Sequence, residues 1–390
     1  MSSVYCDVVV AGASIAGAAA ARRLAEEGLK VTVFEDDLEV GTPEKCGGLV
    51  SLDSLEQLGI APSSRVIADT MKGATFTSPG GEVLEIDARK VGVVALRRRE
   101  LDKAVAREAA ISGAHFELGD KVVGFEEKGD SVEVVTSSGR YVAKYFIDAR
   151  GVSVYKGFNA EGLLQAVQYE CVLPDINRGM VEVLLDKRLS KEYFAWLIPL
   201  DGSSARVGIA GHGPSLQPWL EGYIAKRGGQ VLKKTYASIV VGGPLPQFVL
   251  GRRILVGDAA GQTKPTTAGG IFSGGVGGMM AGVATARAVL ADDPKLLHGY
   301  EAEWRAQFQR DFDTQLSLRR LFVDLDNDDL DALFKVMIRQ KVAESLKDGS
   351  FDYHALDFAK MLGVKGLLDS LWVLGGSYGR LRSLVDLARR

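Results

Sequence analysis

With 390 residues, 25% of them charged, and a net charge of −3, the chain is long enough for two domains or for one core with insertions, and nothing in its charge favours nucleic acid as a partner. Its three cysteines, Cys6, Cys46 and Cys171, lie far apart, and its four histidines, His115, His212, His298 and His354, are scattered. The spacing argues against a disulfide framework or a metal site and for a reducing compartment.

The chain enters a strand almost at once, with no basic leader ahead of it, so a cytoplasmic location is expected. Val8-Val9-Val10 ends on the turn Ala11-Gly12-Ala13-Ser14-Ile15-Ala16-Gly17. Ala18 to Glu27 is rich in helix formers and is stopped by Gly28; Val31-Thr32-Val33-Phe34 reads as a short buried strand. From about 61 to 95 the pattern is β-like, with Pro79-Gly80-Gly81 as a turn, and Leu101 to Ser112 returns to helix. Gly119 to Val142 reads as a hairpin or meander turning at Ser137-Ser138-Gly139, and Tyr145 to Ile147 starts another buried strand. Residues 156–249 are strand-rich, with Val181 to Leu185 and Arg206 to Ala210 as the clearest strands. Ile254-Leu255-Val256 then leads into a second glycine turn, Gly257-Asp258-Ala259-Ala260-Gly261, and beyond Val283 the pattern is mostly helical. Pro265 to Ala286 has no charged residue but is too rich in glycine for a good lipid-facing helix. A buried helix packed closely on sheet and cofactor is expected there.

The expected fold class is α/β with α+β insertions: a Rossmann-like FAD-binding domain, a β-rich substrate domain and a C-terminal helical region. The FAD-binding domain is discontinuous, over 1–60, 95–155 and 250–290; the β-rich domain takes 61–94 and 156–249, and the helical region 291–390.

The first turn brings the backbone close to a pyrophosphate and offers it a helix N-terminus. Gly12 and Gly17 hold the first and third positions of G-x-G-x-x-G, with Ser14 in the middle, small enough to fit and able to bond phosphate through its hydroxyl. Glu35 closes the second strand at the spacing of a ribose-hydroxyl acceptor, which disfavours a phosphorylated ribose. Two such turns far apart, at Gly12 and at Gly257, point to FAD.

Further motifs resemble those of the flavoprotein group that includes para-hydroxybenzoate hydroxylase. Arg98-x-x-Leu101-Asp102 is similar to its arginine motif, and Gly257-Asp258-Ala259-Ala260-Gly261 to its second FAD signature, whose Asp contacts the ribityl chain. Pro265, Gly269, Gly270 and Ile271 match the turn and helix start facing the flavin, where the helix dipole stabilises negative charge. Arg150 stands where that group often has Asp. Lys45-Cys46-Gly47-Gly48, Lys264-Pro265-Thr266-Thr267-Ala268-Gly269-Gly270-Ile271 and Phe194-Ala195-Trp196-Leu197-Ile198-Pro199 together resemble the geranylgeranyl reductase family over most of the chain. The last departs from that family's Tyr-x-Trp-x-Phe-Pro at Phe194 and Ile198 and lacks its preceding proline. The resemblance implies FAD contacts at Ala16, Glu35, Cys46, Gly47, Leu49, Arg98, Val122, Asp258, Gly270 and Ile271. It also implies reduction of C=C bonds in isoprenoid chains, of membrane ether lipids or of quinone tails.

An isolated alkene is not electrophilic, so protonation toward a tertiary cation with hydride delivered from flavin N5 is the expected chemistry. Trp196 with Phe194 or Tyr193 would face the cation, in a site that excludes water. Cys46 is a proton relay, a substrate-positioning group or structural, and the aromatic stretch either lines a pocket or is core. Period-two alternation puts Phe194 and Trp196 on one face and Tyr193 on the other. NAD(P)H, ferredoxin or another reduced carrier would supply electrons. The competing enzyme reading is an FAD monooxygenase or halogenase, whose Trp-x-Trp-x-Ile-Pro differs here at Phe194; an electron-transfer flavoprotein is the third. Asp324-x-Asp326-x-Asp328 begins like a calcium loop but has Asp329 where glycine is needed, so a solvated helix cap is expected. The basic, apolar tail Leu367 to Arg390 either rests on a membrane surface or packs on the body.

Overall fold

The computed structural model describes residues 4–345 and 351–352; the tail from Leu367 lies outside them. The strand Val8–Ala11 is buried along its whole length because it has a neighbour on each side and is covered on both faces, as its unbroken apolar run requires. Val31–Glu35 and His115–Leu118 follow on one side, and Tyr145–Asp148, Arg253–Leu255 and Val249–Leu250 on the other. Every pairing in this six-stranded sheet is parallel except the last. The helix Ile15–Glu26 starts earlier than its helix-former content suggests, directly after Ser14 as N-cap. A three-stranded sheet with Val93–Leu96 in its middle is inserted in sequence between Val31–Glu35 and His115–Leu118, and three strands of a four-stranded sheet that includes Val122–Lys128 are inserted between His115–Leu118 and Tyr145–Asp148.

The glycine-rich stretch forms the helix Ile271–Ala291, which is long and apolar enough to cross a membrane, yet 61% of its apolar window is buried inside the protein. Its glycines explain the burial. Gly274, Gly278 and Gly282 recur every four residues, on one helix face. A Cβ on Gly278 would lie 2.0 Å from Ala16 O, and one on Gly282 would lie 2.6 Å from Ala20 O. The two helices therefore meet backbone to backbone.

The seven-stranded sheet runs Gln230–Val240, Leu163–Val172, Ser204–Gly211, Ala195–Pro199, Met180–Leu184, Gly73–Thr77, Val83–Asp87. Its pairings are antiparallel apart from Met180–Leu184 with Gly73–Thr77. Alternation along Leu163–Val172 divides its faces: Val167, Tyr169 and Cys171 pack with Leu216, Leu220 and Ile224 of the helix Leu216–Lys226. Ala166 and Gln168 look the other way, into a cavity. That helix and the short Val152–Phe158 interrupt a region that reads as strand-rich from sequence. The helix His298–Asp324 buries Tyr300, Trp304, Phe308 and Phe312 at four-residue spacing, and Trp304 Nε1 donates to Ser273 O at 3.0 Å. Asp326 caps Asn327–Arg339 in a reciprocal box with Asp329, as the helix-cap reading of the acidic stretch expects.

Candidate active site

One cavity of about 1740 Å³ is lined by Gly12, Ser14, Ala16, Gly17, Glu35, Cys46, Gly47, Leu49, Arg98, Val122, Phe194, Trp196, Gly257, Asp258, Gly269, Gly270 and Ile271, all singled out from sequence; Pro265 is not part of its lining. Residues more than 250 positions apart in the chain thus meet around one space.

At the first turn Gly12 has φ +100°, and a Cβ there would lie 2.5 Å from Ala149 O. Only glycine fits. Asp102 Oδ1 accepts from the helix-start Ile15 N at 2.9 Å and from Ser14 Oγ at 3.2 Å. Arg98 Nη2 donates to the same Asp102 oxygen at 2.9 Å and to Ser14 Oγ at 3.1 Å. So the arginine motif is a clamp on the helix start: Arg98 and Asp102, one turn apart on Arg98–Ile111, grip it together. Burial disfavours the Arg98 charge, but Asp102 and the sulfur of Cys46 outweigh it and hold its pKa above the ordinary value. Arg98 Nε is buried with no hydrogen-bond partner. An orphaned cationic donor facing a glycine-lined cradle is what FAD would satisfy, and the residues present fit it.

Glu35 Oε2 accepts from Ala13 N at 2.7 Å, and burial followed by the neighbouring Asp36 pushes its carboxyl up to about 7. Glu35, Asp36 and Asp37 crowd within 4.8 Å of one another, a cluster not anticipated from sequence. At the second turn Gly257 (φ +62°) lies where a Cβ would sit 2.8 Å from Ala16 Cβ. Asp258 accepts from Thr263 Oγ1 at 2.8 Å; burial raises its pKa, against Thr263 and the Arg98 charge. Gly270 caps the helix Ile271–Ala291, so that helix start faces the same space.

The Cys46 loop is pinned from two sides. Glu44 Oε1 accepts from Arg98 N at 2.7 Å and from the buried Arg206, whose Nη1 donates to Gly47 O at 3.1 Å and Leu96 O at 2.8 Å. Gln168 joins the loop to the aromatic wall: its Nε2 donates to Cys46 O at 3.2 Å, and its Oε1 accepts from Trp196 Nε1 at 3.1 Å. Gln168 was not picked out from sequence, although one polar residue amid Ala166-Val167 and Tyr169 was the available signal. Arg150 binds the fully buried Asp148 through Nε and Nη2 at 2.8 and 2.7 Å; Arg253 binds it too.

The expected separation of the aromatics fails. Tyr193 stacks on Phe194 at 4.2 Å, and both line the cavity with Trp196, which meets each ring edge-on at 6.3 Å. The reason is that the strand starts only at Ala195, so period two does not govern the two residues before it. Opposite Trp196, Gly208 leaves room for the indole: a Cβ there would lie 2.4 Å from Trp196 Cζ2. The remaining wall is largely apolar, with Val181 and Val183 from the sheet and Phe322, Phe334 and Met337 from the C-terminal helices.

Comparison with known proteins agrees with this geometry. Residues 5–153 match the family model of an FAD binding domain. The chain is 30% identical to a digeranylgeranylglycerophospholipid reductase of Methanosarcina mazei over 379 residues, covering 90% of each. It is 27% identical to the enzyme of that name in Methanocaldococcus jannaschii, covering 86% of this chain and 91% of the relative. A crystal structure of a geranylgeranyl bacteriochlorophyll reductase-like protein from Thermoplasma acidophilum superposes with TM-score 0.81 at 24% identity, covering 99% of this chain and 100% of the other. A flavin-dependent brominase shares the fold at TM-score 0.66 and 16% identity, covering 94% and 99% of the two chains.

Proposed function

Because this chain belongs to the digeranylgeranylglycerophospholipid reductase-like family of FAD-binding oxidoreductases, we propose that it hydrogenates isolated C=C bonds of isoprenoid chains, with membrane ether lipids as the leading substrate class. The observation that carries this is the single cavity in which the FAD signature residues and a wall of apolar and aromatic side chains face one space. When bound and reduced, FAD supplies the hydride, and a proton completes the saturation of each double bond. In this proposal Gly12, Ser14, Ala16, Gly17 and Arg98 hold the pyrophosphate, while Glu35 and Asp258 accept from ribose and ribityl hydroxyls. Gly47, Leu49, Val122 and Gly257 shape the cradle, and the helix start at Gly269, Gly270 and Ile271 stabilises negative charge. Trp196, Phe194 and Tyr193 offer ring faces to a cation-like carbon, and the apolar wall keeps water from it. Cys46, beside Arg98, is the chain's candidate to hold a proton. The discontinuous FAD-binding part (1–60, 95–155, 250–290) and the β-rich substrate part (61–94, 156–249) divide these tasks. A nicotinamide or a reduced ferredoxin is the donor class, and a lipid substrate brings the protein to a membrane surface.

The test is anaerobic. Protein loaded with FADH2 should be reoxidised by a geranylgeranyl lipid, with a product heavier by two hydrogens per bond. Turnover that requires oxygen would overturn the reading. In the same assay Cys46→Ala should slow reoxidation; an unchanged rate removes Cys46 from proton transfer.

A further inference from the structure

Arg319, on the helix His298–Asp324, lines the cavity within electrostatic reach of Tyr193, and its Nη1 donates to the carbonyl of Glu192 at 3.1 Å. A guanidinium carries five donors in a planar fork. No carboxylate among the described residues lies within ion-pair distance of Arg319. A second cation lies within electrostatic reach of it. Lys187 Nζ rests over the Phe322 ring at 3.5 Å and donates to the carbonyls of Lys191 and Phe322, again with no carboxylate in ion-pair distance among the described residues. The carboxylates acting on the pair from farther off are Glu192, which lines the same cavity and lies 3.7 Å from His212, and Asp324. Burial lowers the pKa of Arg319. Burial, joined by repulsion from Arg319, brings Lys187 down to about 8. Two half-buried cations whose hydrogen bonds go only to carbonyls, with no carboxylate in ion-pair distance among the described residues, form an unbalanced arrangement, which an anion restores.

We propose that Arg319, with Lys187 adding charge, forms an anion subsite that holds the phosphate of the isoprenoid substrate's head while the chain lies against the apolar wall. This rests on the prenyl-reductase reading. The pyrophosphate of FAD is assigned to the turn at Gly12 and the Arg98 clamp, so the ligand here is a second phosphate. A planar fork matches phosphate oxygens in a bidentate way that an ammonium cannot.

The test uses the FAD-loaded, full-length protein with two probes of equal chain, geranylgeranyl diphosphate and the uncharged geranylgeraniol. Arg319→Met should raise the KM and Kd of the diphosphate on the order of ten- to a hundredfold, as expected for loss of a charge-assisted contact, and leave those of the alcohol unchanged. Arg319→Lys should recover part of the loss, and Lys187→Met should show a smaller selective effect. Equal losses for both probes, or none for the diphosphate, overturn the proposal. If neither probe binds the unaltered protein, the prenyl reading fails separately, and inorganic pyrophosphate decides the subsite. Binding that Arg319→Met abolishes upholds an anion site, and no binding overturns it.

Discussion

The two halves of the cavity are built by opposite means. Around the glycine turns, side chains have been removed until backbones nearly touch: one added carbon at Gly12 or Gly17 would meet a carbonyl oxygen at 2.5 or 1.9 Å. Around Trp196, large side chains fill the wall, and space is set by how rings lean on each other. The first construction fixes a rigid, repeated ligand. The second leaves open space bounded by rings and tolerates exchange of one apolar group for another.

Substitutions on the two sides should therefore separate cleanly. The largest effect is expected from Arg98→Met, which leaves Asp102 buried without its cation; about 3–5 kcal/mol of stability should be lost, with FAD retention, read by denaturant melts and bound-flavin absorbance. Gly278→Ala comes next. Overpacking costs about 1–3 kcal/mol, and at 2.0 Å from a backbone oxygen it should exceed the roughly 1 kcal/mol gained in helix propensity; a higher melting temperature would show that the helices can part. On the other side, Trp196→Leu should keep FAD content and slow alkene turnover roughly two- to thirtyfold, the range of one cation–π contact. Loss of FAD instead would break the contrast.

The smallest effect is at Glu35. Its carboxyl titrates near 7 in the folded protein against an ordinary 4.5, so the folded state holds a proton that the unfolded chain releases. That contribution to stability is full below about 4.5 and is lost as pH rises toward 7. Hydroxyl donors favour the charged form, so FAD affinity of the apoprotein should rise with pH up to about 7. Glu35→Gln should flatten both slopes, and an unchanged pH profile would place the ribose elsewhere.

The same contrast explains what was legible in the sequence. Gly12, Gly17, Gly257 and Gly270 stand out because close backbone approach has few chemical solutions and leaves its mark within a short stretch. Asp102 was visible as part of a motif, but not its grip on Ile15, which depends on where one helix lies against another. Arg319 carries no local signal and Gln168 only that of one polar residue among apolar neighbours, because each matters through what the fold sets opposite it. The helix Leu216–Lys226 had its sign in Leu216, Leu220 and Ile224, four apart, hidden in a stretch dominated by strands. Tyr193 was misplaced because alternation was extended past the residue where the strand begins.

The bare backbone at Gly208 has a consequence for how such enzymes diverge. The indole of Trp196 lies on it, and even a methyl at 208 would press into the ring at 2.4 Å. The ring can yield toward the open space it lines, narrowing the passage beside it. A residue that does not itself line the cavity thus helps set the cavity's width beside Trp196, without altering any residue of the two glycine turns.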